Sequence, residues 1–386
     1  VVSVLEQALE QDPEMEDRQR YQDALNSVLY LWDLLDLSTT DNIAMYVANK
    51  LYECEELHYR KVLDGEESEA LFSPLFPARR AAFRAVRGFI GEAGEAGNEQ
   101  LVEGEVYCYE DDRFQVRLED AGDLLGNENY VFLIVENMIN NGLYYAGQKQ
   151  YRNRFAKLSL HVGKDRGNAV FRIYNPGPGI GDDFRDKIYQ LGYSTKRSRG
   201  HHGKGLGLYF VKQLVNGYEG SIDFSNICNR EHTYVVRIEC ESGTVVNRII
   251  ETAVNDRGKP VCKDENGAQE KELRFSVSER IRSLEVSRHA DKKTHVFTEF
   301  GRTGKTSVLD PEHPDHPAWR MDVTGKVSAT EIIFRPLDTM GVEFTIRIPT
   351  AESRLDPQYH DSVQQLLPEP DAPDENPEPV SKLIED

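Results

Sequence analysis

The chain has 386 residues, too many for one compact core, and its 39% hydrophobic and 29% charged residues exclude a fibrous or largely disordered chain. With 46 Lys and Arg against 66 Asp and Glu, the formal net charge is −20, which repels nucleic acid and anionic lipid, so neither is expected as a default partner. No stretch reaches the roughly 18 apolar residues of a membrane span. The five cysteines are widely spaced with no CxxC pair, which points to a reducing, cytoplasmic compartment and against a disulfide framework or zinc site. The chain opens on Val1, so an upstream segment, a membrane anchor included, is compatible with it.

Residues 1–97 read as mainly helical. Ser38 to Asp41 form a cap signal before Ile43, Val47, Leu51 and Cys54, an apolar ladder at helical spacing. Pro77 opens a second helix, Ala78 to Ile90, which the glycine-rich 91–97 ends. From about residue 105 the pattern changes. Val106 to Tyr109 and Phe114 to Leu118 read as short strands, Tyr130 to Tyr145 as a helix, and Leu158 to Val162 with Ala169 to Tyr174 as a strand pair turning at Asp165 to Asn168. A helix over Leu206 to Val215 and a strand over Ser221 to Phe224 follow. Residues 229–330 alternate strands, such as Tyr234 to Ile238 and Leu273 to Val277, with charged loops. The last 36 residues, 351–386, hold 10 acids, 2 bases and six prolines, so a disordered acidic tail is expected.

Three signals lie in order within this frame. On the 130–145 helix, Asn137 and Asn141 are one turn apart and share a face. Two amide oxygens there are hard ligands of the type magnesium accepts when phosphate completes its shell. Taken alone, they are more simply an Asn-rich polar helix face. Next, Asn175-Pro-Gly177-Pro-Gly179 ends a strand; its amide can read a base edge, and its glycines let backbone approach a flat ligand. A plain Pro/Gly turn explains the same residues. Third, Gly203-Lys204-Gly205-Leu206-Gly207 runs into a helix, where free N–H groups favour an anion. Lys187 to Tyr218 contains no Asp or Glu, where average composition would place about 5, and it carries six Lys and Arg residues. A triphosphate needs such local positive potential. Neither Gly301 to Thr306 nor Gly177 to Gly181 has the spacing of a phosphate loop or a dinucleotide fingerprint.

This succession over residues 105–228 resembles the Bergerat-type ATP-binding fold shared by gyrase, heat-shock chaperones, mismatch-repair ATPases and histidine kinases. The stretches Leu191 to Lys196 and Gly205 to Val215 look most like two-component sensor kinases. The resemblance implies an α+β chain: a helical dimerisation and phosphoacceptor region at 1–97, then an α/β sandwich ATP-binding domain at 105–350. Residues 229–330 would be a β-rich insertion, because Gly341 to Pro349 fits the closing strand of such domains; His232 to Glu239 fits it nearly as well.

Residue by residue, the resemblance makes Asn141 and Asn137 magnesium ligands. Asn175, Gly177 and Gly179 become the adenine box. Tyr189, Tyr193, Ser194, Thr195 and Lys196 become the stretch before the ATP lid, and Gly203, Lys204, Gly205, Leu206 and Gly207 the phosphate box. Two departures stand out: Asn175 replaces the usual Asp, and Tyr144 stands where a Lys is frequent. Hydrolytic members carry Glu four residues before the magnesium Asn; here that place is Asn137, which favours a kinase. A shifted register, Glu136 with Asn140, would restore a hydrolytic base. The histidine upstream of the domain is His58, a candidate phosphoacceptor, with Ala78–Ile90 as its hairpin partner; a solvent-facing histidine on a polar helix is the alternative. The implied partners are a second copy of the chain and a response-regulator receiver domain. The implied ligands are ATP and Mg2+. The competing reading is an ATP-hydrolysing clamp or a regulator that binds ATP without kinase activity.

Overall fold

A computed structural model describes residues 25–64 (except 26, 27, 30, 34 and 38), 75–90, 101–148 (except 102 and 103), 156–193 and 206–355 (except 265, 291–292, 302–303 and 326–328). The architecture is mixed α+β. Helix α1 spans Ile43–Asp64, β1 Leu75–Pro77, α2 Ala78–Ile90, β2 Tyr107–Glu110, β3 Phe114–Leu118, β4 Asp123–Leu125 and α3 Glu128–Ala146. Then come β5 Leu158–Asp165, β6 Asn168–Pro176, α4 Gly207–Gly217 and β7 Ser221–Ile227. The two-residue turn between β5 and β6 puts Arg166 and Gly167 at φ 45° and 78°, the twist that lets a right-handed strand pair close tightly.

The chain continues with β8 His232–Cys240, β9 Val245–Val254, β10 Pro260–Lys263, β11 Gln269–Glu270, β12 Leu273–Val277, β13 Ile281–Arg288 and β14 Thr294–Phe297. It ends with β15 Gly304–Leu309, β16 Trp319–Gly325, β17 Thr330–Pro336, β18 Gly341–Pro349 and the short helix α5, Ala351–Arg354. One six-stranded sheet has the order β2-β3-β5-β6-β18-β7, antiparallel except for the β3–β5 pair. Helices α2, α3 and α4 cover one face of it, over a core that includes Phe114, Val131, Ile134, Ile173, Val211 and Ile346. Strands β8 to β17 form two further sheets, β11-β10-β9-β8-β13-β14 and β12-β17-β16-β15, which share a second core around Trp319, Met321, Ile332 and Phe334. Strand β18 thus lies between β6 and β7, and the second lobe is threaded between two strands of the first sheet.

Several expectations are corrected. The cap of α1 is Asn42, whose Oδ1 accepts from the Met45 N–H at 3.1 Å, not the 38–41 run; Thr39 still belongs to the preceding helical stretch. Helices α1 and α2 do not pair as a hairpin. The apolar ladder of α1 turns to α4 and the alanine-rich face of α2 turns to α3, where each buries its apolar residues. The region before residue 97 also contains β1, which pairs with β4. The acidic tail does not start at residue 351: Ala351 to Leu355 are folded, with Thr350 capping α5 by accepting from the Ser353 N–H. Arg354 is 1% exposed; its Nε donates to Glu55 of α1 at 2.7 Å and its Nη1 to Glu219 after α4 at 2.9 Å.

The second lobe also backs the first sheet. Tyr174 of β6 points away from the helices yet is fully buried, because the loop between β15 and β16 lies over it. The His316 ring sits 5.0 Å from that of Tyr174, and His316 Nε2 is 3.9 Å from Glu343 of β18. Gln115 of β3 donates to Pro314 O, and the Tyr174 hydroxyl donates to Thr339 O at 3.0 Å.

Two predictions test these ties. Arg354→Met leaves Glu55 and Glu219 without their buried partner, so stability in urea should fall by about 3 kcal/mol; a loss below about 1 kcal/mol would show that the triad is not holding α1. Burial pushes the His316 imidazole below its ordinary range, helped by stacked His313 and opposed by Asp315 and Asp310. Such a ring stabilises the fold above the ordinary imidazole range, and that contribution is lost as the pH falls through and below it. Glu343, raised by burial, acts in the opposite sense, and Arg172 opposes that shift. The parent chain should therefore lose more stability than His316→Gln between about pH 7.5 and pH 5; parallel urea profiles would reject the ring as the acid-sensitive group.

Candidate functional site

The site is built on α3. Asn127 caps it by accepting from the Asn129 N–H, and Glu128 in the first turn meets the positive dipole end. Tyr130, Val131, Ile134, Val135, Met138 and Ile139 are buried, which fixes the helix's rotation. Asn137 and Asn141 then fall on a half-exposed face, and Asn140 is exposed. Gly142 sets the depth: a Cβ there would stand 2.5 Å from Leu158 Cδ1 and 3.2 Å from Asn175 Cβ. A bare backbone at this place lets α3 lie on the ends of β5 and β6 and brings Asn175, 6% exposed, against it.

Helix α4 closes the other side. A Cβ on Gly207 would lie 3.1 Å from Asn137 Oδ1 and 3.4 Å from Asn141 Nδ2, so the start of α4 touches both amides. Asn137 Nδ2 donates to Leu133 O at 2.8 Å on its own helix, which turns its oxygen toward Gly207. Leu206 holds the cap position of α4, and among the described residues no side chain caps it. Uncapped N–H groups with two amide side chains beside them are a fitting setting for a phosphate and a hard cation.

The structure therefore brings Asn137, Asn141, Leu206 and Gly207 together, with Asn175 and Gly177 beside them. A Cβ on Gly177 would meet Asn175 Nδ2 at 3.1 Å and Tyr145 Cβ at 3.2 Å. Gly179 lies further along the turn, exposed and against Asn226. Tyr189 ends a short 3-10 turn; burial pushes its hydroxyl well above the usual phenol range, and Lys212 Nζ lies 5.7 Å over its ring. The Tyr193 ring is 6.2 Å from Phe184. Ser194, Thr195, Lys196, Gly203, Lys204 and Gly205 lie outside the described residues. Glu136 is half-buried and lines a cavity of about 280 Å3 with Leu37, Asn137, Gly207 and Phe210.

His58 is not at this site. Val47 of α1 sits against Gly217, at the end of α4 opposite to Gly207, and Glu55 is bound to Arg354. His58 is a further turn along, half-buried, its ring 6.2 Å from Tyr59. Helix α4 alone separates Gly207 from Gly217 by about 15 Å. The sequence reading overlooked Leu37, Tyr145 and Asn226. Only Asn226 carried a signal: it stands where the alternation of Ile222 and Phe224 leads to an apolar residue.

Residues 126–254 match the family model of histidine kinase-, DNA gyrase B-, and HSP90-like ATPases. This segment is a domain of that family. A probable C4-dicarboxylate sensor kinase of Halalkalibacterium halodurans is 27% identical over 111 residues, 29% of this chain and 20% of that protein. Sensor histidine kinase GlnK of Bacillus subtilis is 30% identical over 102 residues, 26% of this chain and 24% of that protein. The chain thus spans a quarter or less of the length of these two relatives. Among solved structures, the mycobacterial sensor histidine kinase MprB aligns at 17% identity with a TM-score of 0.30, over 40% of this chain and 85% of that one. The family match stops in β9, in the second lobe, whereas β18 completes the first sheet. Among the described residues no helix is long and apolar enough to cross a membrane.

The amide pair gives a direct test. Gly207→Val forces branched carbons against Asn137 and Asn141. The affinity for MgATP should fall by at least about tenfold in calorimetry. Parent-like affinity would show that these amides do not meet the ligand.

Proposed function

We propose that the chain binds MgATP between α3, the turn after β6 and the start of α4, and acts as an ATP-dependent histidine kinase. The meeting of Asn137 and Asn141 with the uncapped start of α4 carries this reading. The phosphoryl group passes to a histidine and then to an aspartate of a response-regulator receiver domain, with the kinase working as a homodimer. Bound MgATP supplies the transferable phosphoryl group, and magnesium neutralises part of its charge.

The chain's own residues position. Asn141 and Asn137 present amide oxygens to the cation, and the first N–H groups of α4 hold phosphate oxygens. Asn175 accepts from the adenine amino group. An amide adds no charge there, so the base is held more weakly than by a carboxylate. Ser194 to Lys196 and Gly203 to Gly205 complete the phosphate side. Asn137, one turn before Asn141, cannot take a proton from water, which keeps hydrolysis slow and leaves the phosphoryl group for a side chain. His58 remains the candidate acceptor in this chain. With α1 packed on α4 it stands at the wrong end of the domain, so transfer to it takes place after α1 lifts away or from a second protomer.

Glu136 supports a second reading. It faces the cavity beside Gly207, where a shifted register would let it act as a hydrolytic base. Incubation with γ-labelled ATP separates the two. The kinase reading expects an acid-labile, base-stable label on the chain, absent from Asn141→Ala and lost in His58→Gln. Label that persists in His58→Gln moves the acceptor elsewhere. Release of free phosphate without protein label, abolished by Glu136→Ala, would replace the kinase with a hydrolytic clamp.

A further inference from the structure

We propose that Asn226 is a positioning residue of the base pocket: it holds the turn after Asn175 so that Asn175 and the turn's backbone face the adenine as one surface. The inference rests on the reading of Asn175 as the base contact. Three strands put the two asparagines in one row. Val342 of β18 is in register with Asn175 of β6 on one side and with Asn226 of β7 on the other. Directly opposed residues point to the same face, and Val342 belongs to the core beneath the helices. With strands about 4.8 Å apart, Asn175 and Asn226 stand about 10 Å from each other.

The chain from Asn175 to Ile180 bridges that gap, with the Gly177 N–H donating to Met340 O at 3.2 Å on the way. At its far end the Ile180 N–H donates to Asn226 Oδ1 at 2.8 Å, and Asn226 Nδ2 donates to Ile180 O at 2.8 Å. The amide pairs with the backbone as a neighbouring strand would, and only one amide orientation satisfies both bonds. A Cβ on Gly179 would lie 3.2 Å from Asn226 Oδ1, so an added carbon at the second glycine of the turn would crowd this side chain. The same strand holds the next stretch: Arg185 pairs with Asp223 at 2.7 Å and covers the Phe224 ring at 4.5 Å. Aspartate at 226 could accept but not donate, and would set a charge against Ile180 O. Alanine could do neither.

The test measures the affinity of the full chain for MgATP and for adenosine, with the thermal midpoint of the ligand-free protein alongside. Asn226→Ala and Asn226→Asp should each bind both ligands about tenfold more weakly. Asn141→Ala should weaken MgATP but not adenosine. Gly179→Ala in the parent chain alone provides a second route should the Asn226 variants unfold, parent-like adenosine affinity then overturning the role; where Asn226→Ala folds, Gly179→Ala is read in both backgrounds. It should weaken adenosine in the parent chain yet add less than about twofold in an Asn226→Ala background, where the collision is gone. Parent-like affinity in Asn226→Ala, with Asn141→Ala still impaired, overturns this role and leaves the nucleotide site standing. Equal losses from Gly179→Ala in both backgrounds also overturn it. If the parent chain binds neither ligand, the site reading falls and this inference with it.

Discussion

The site depends on how closely two helices approach the end of one sheet and each other. Gly142 sets the first distance and Gly207 the second, because at each place a single added carbon would meet Leu158 and Asn175, or Asn137 and Asn141. Interiors are packed too tightly to absorb such a carbon without moving an element. The polar groups of the site therefore inherit their spacing from apolar packing. Ile134, Met138 and Ile139 hold the rotation of α3, Val211 and Leu214 hold that of α4, and the asparagines occupy the remaining face.

Charge is arranged on a longer scale. A chain of net charge −20 would repel a nucleotide triphosphate if its acids were spread evenly. They are not: the stretch from Lys187 to Tyr218 has none, and its described part includes Lys187, Lys212 and the uncapped start of α4. Partial positive charge on backbone N–H groups acts at short range, and the cationic side chains act within a Debye length, about 8 Å at physiological salt.

Much of this was legible in residue order. The amphipathic runs of α2 and α3, the strand pair β5–β6 and the start of α4 each carry a local pattern. What lacked a local pattern was hidden. Strands β1 and β4 have three residues each and show no alternation. Arg354 sits in a stretch whose composition reads as disordered, and only partners far upstream, Glu55 in α1 and Glu219 after α4, explain its burial. The choice of α4 rather than α2 as the surface for α1 is a contest between two apolar faces that the ladder Ile43, Val47, Leu51 and Cys54 cannot decide alone. His58 was marked by its residue type, and its distance from Gly207 is set by where α1 docks.

The second lobe bears on the site through this sheet as well. Asn175 follows Tyr174 directly, and the two point to opposite faces of β6. Asn175 meets α3, whereas Tyr174 is buried under the His316 loop and bonded to Thr339 just before β18. β18 in turn supplies Val342, the middle of the row from Asn175 to Asn226. A shift of the second lobe would reach the strand that carries Asn175 from behind, while α1 and Arg354 bear on α4 from its far end. Arg354 and the His316 loop both meet the domain away from the junction of α3 with the start of α4, so either can alter the position of its walls without entering the cavity that Asn137 and Gly207 line.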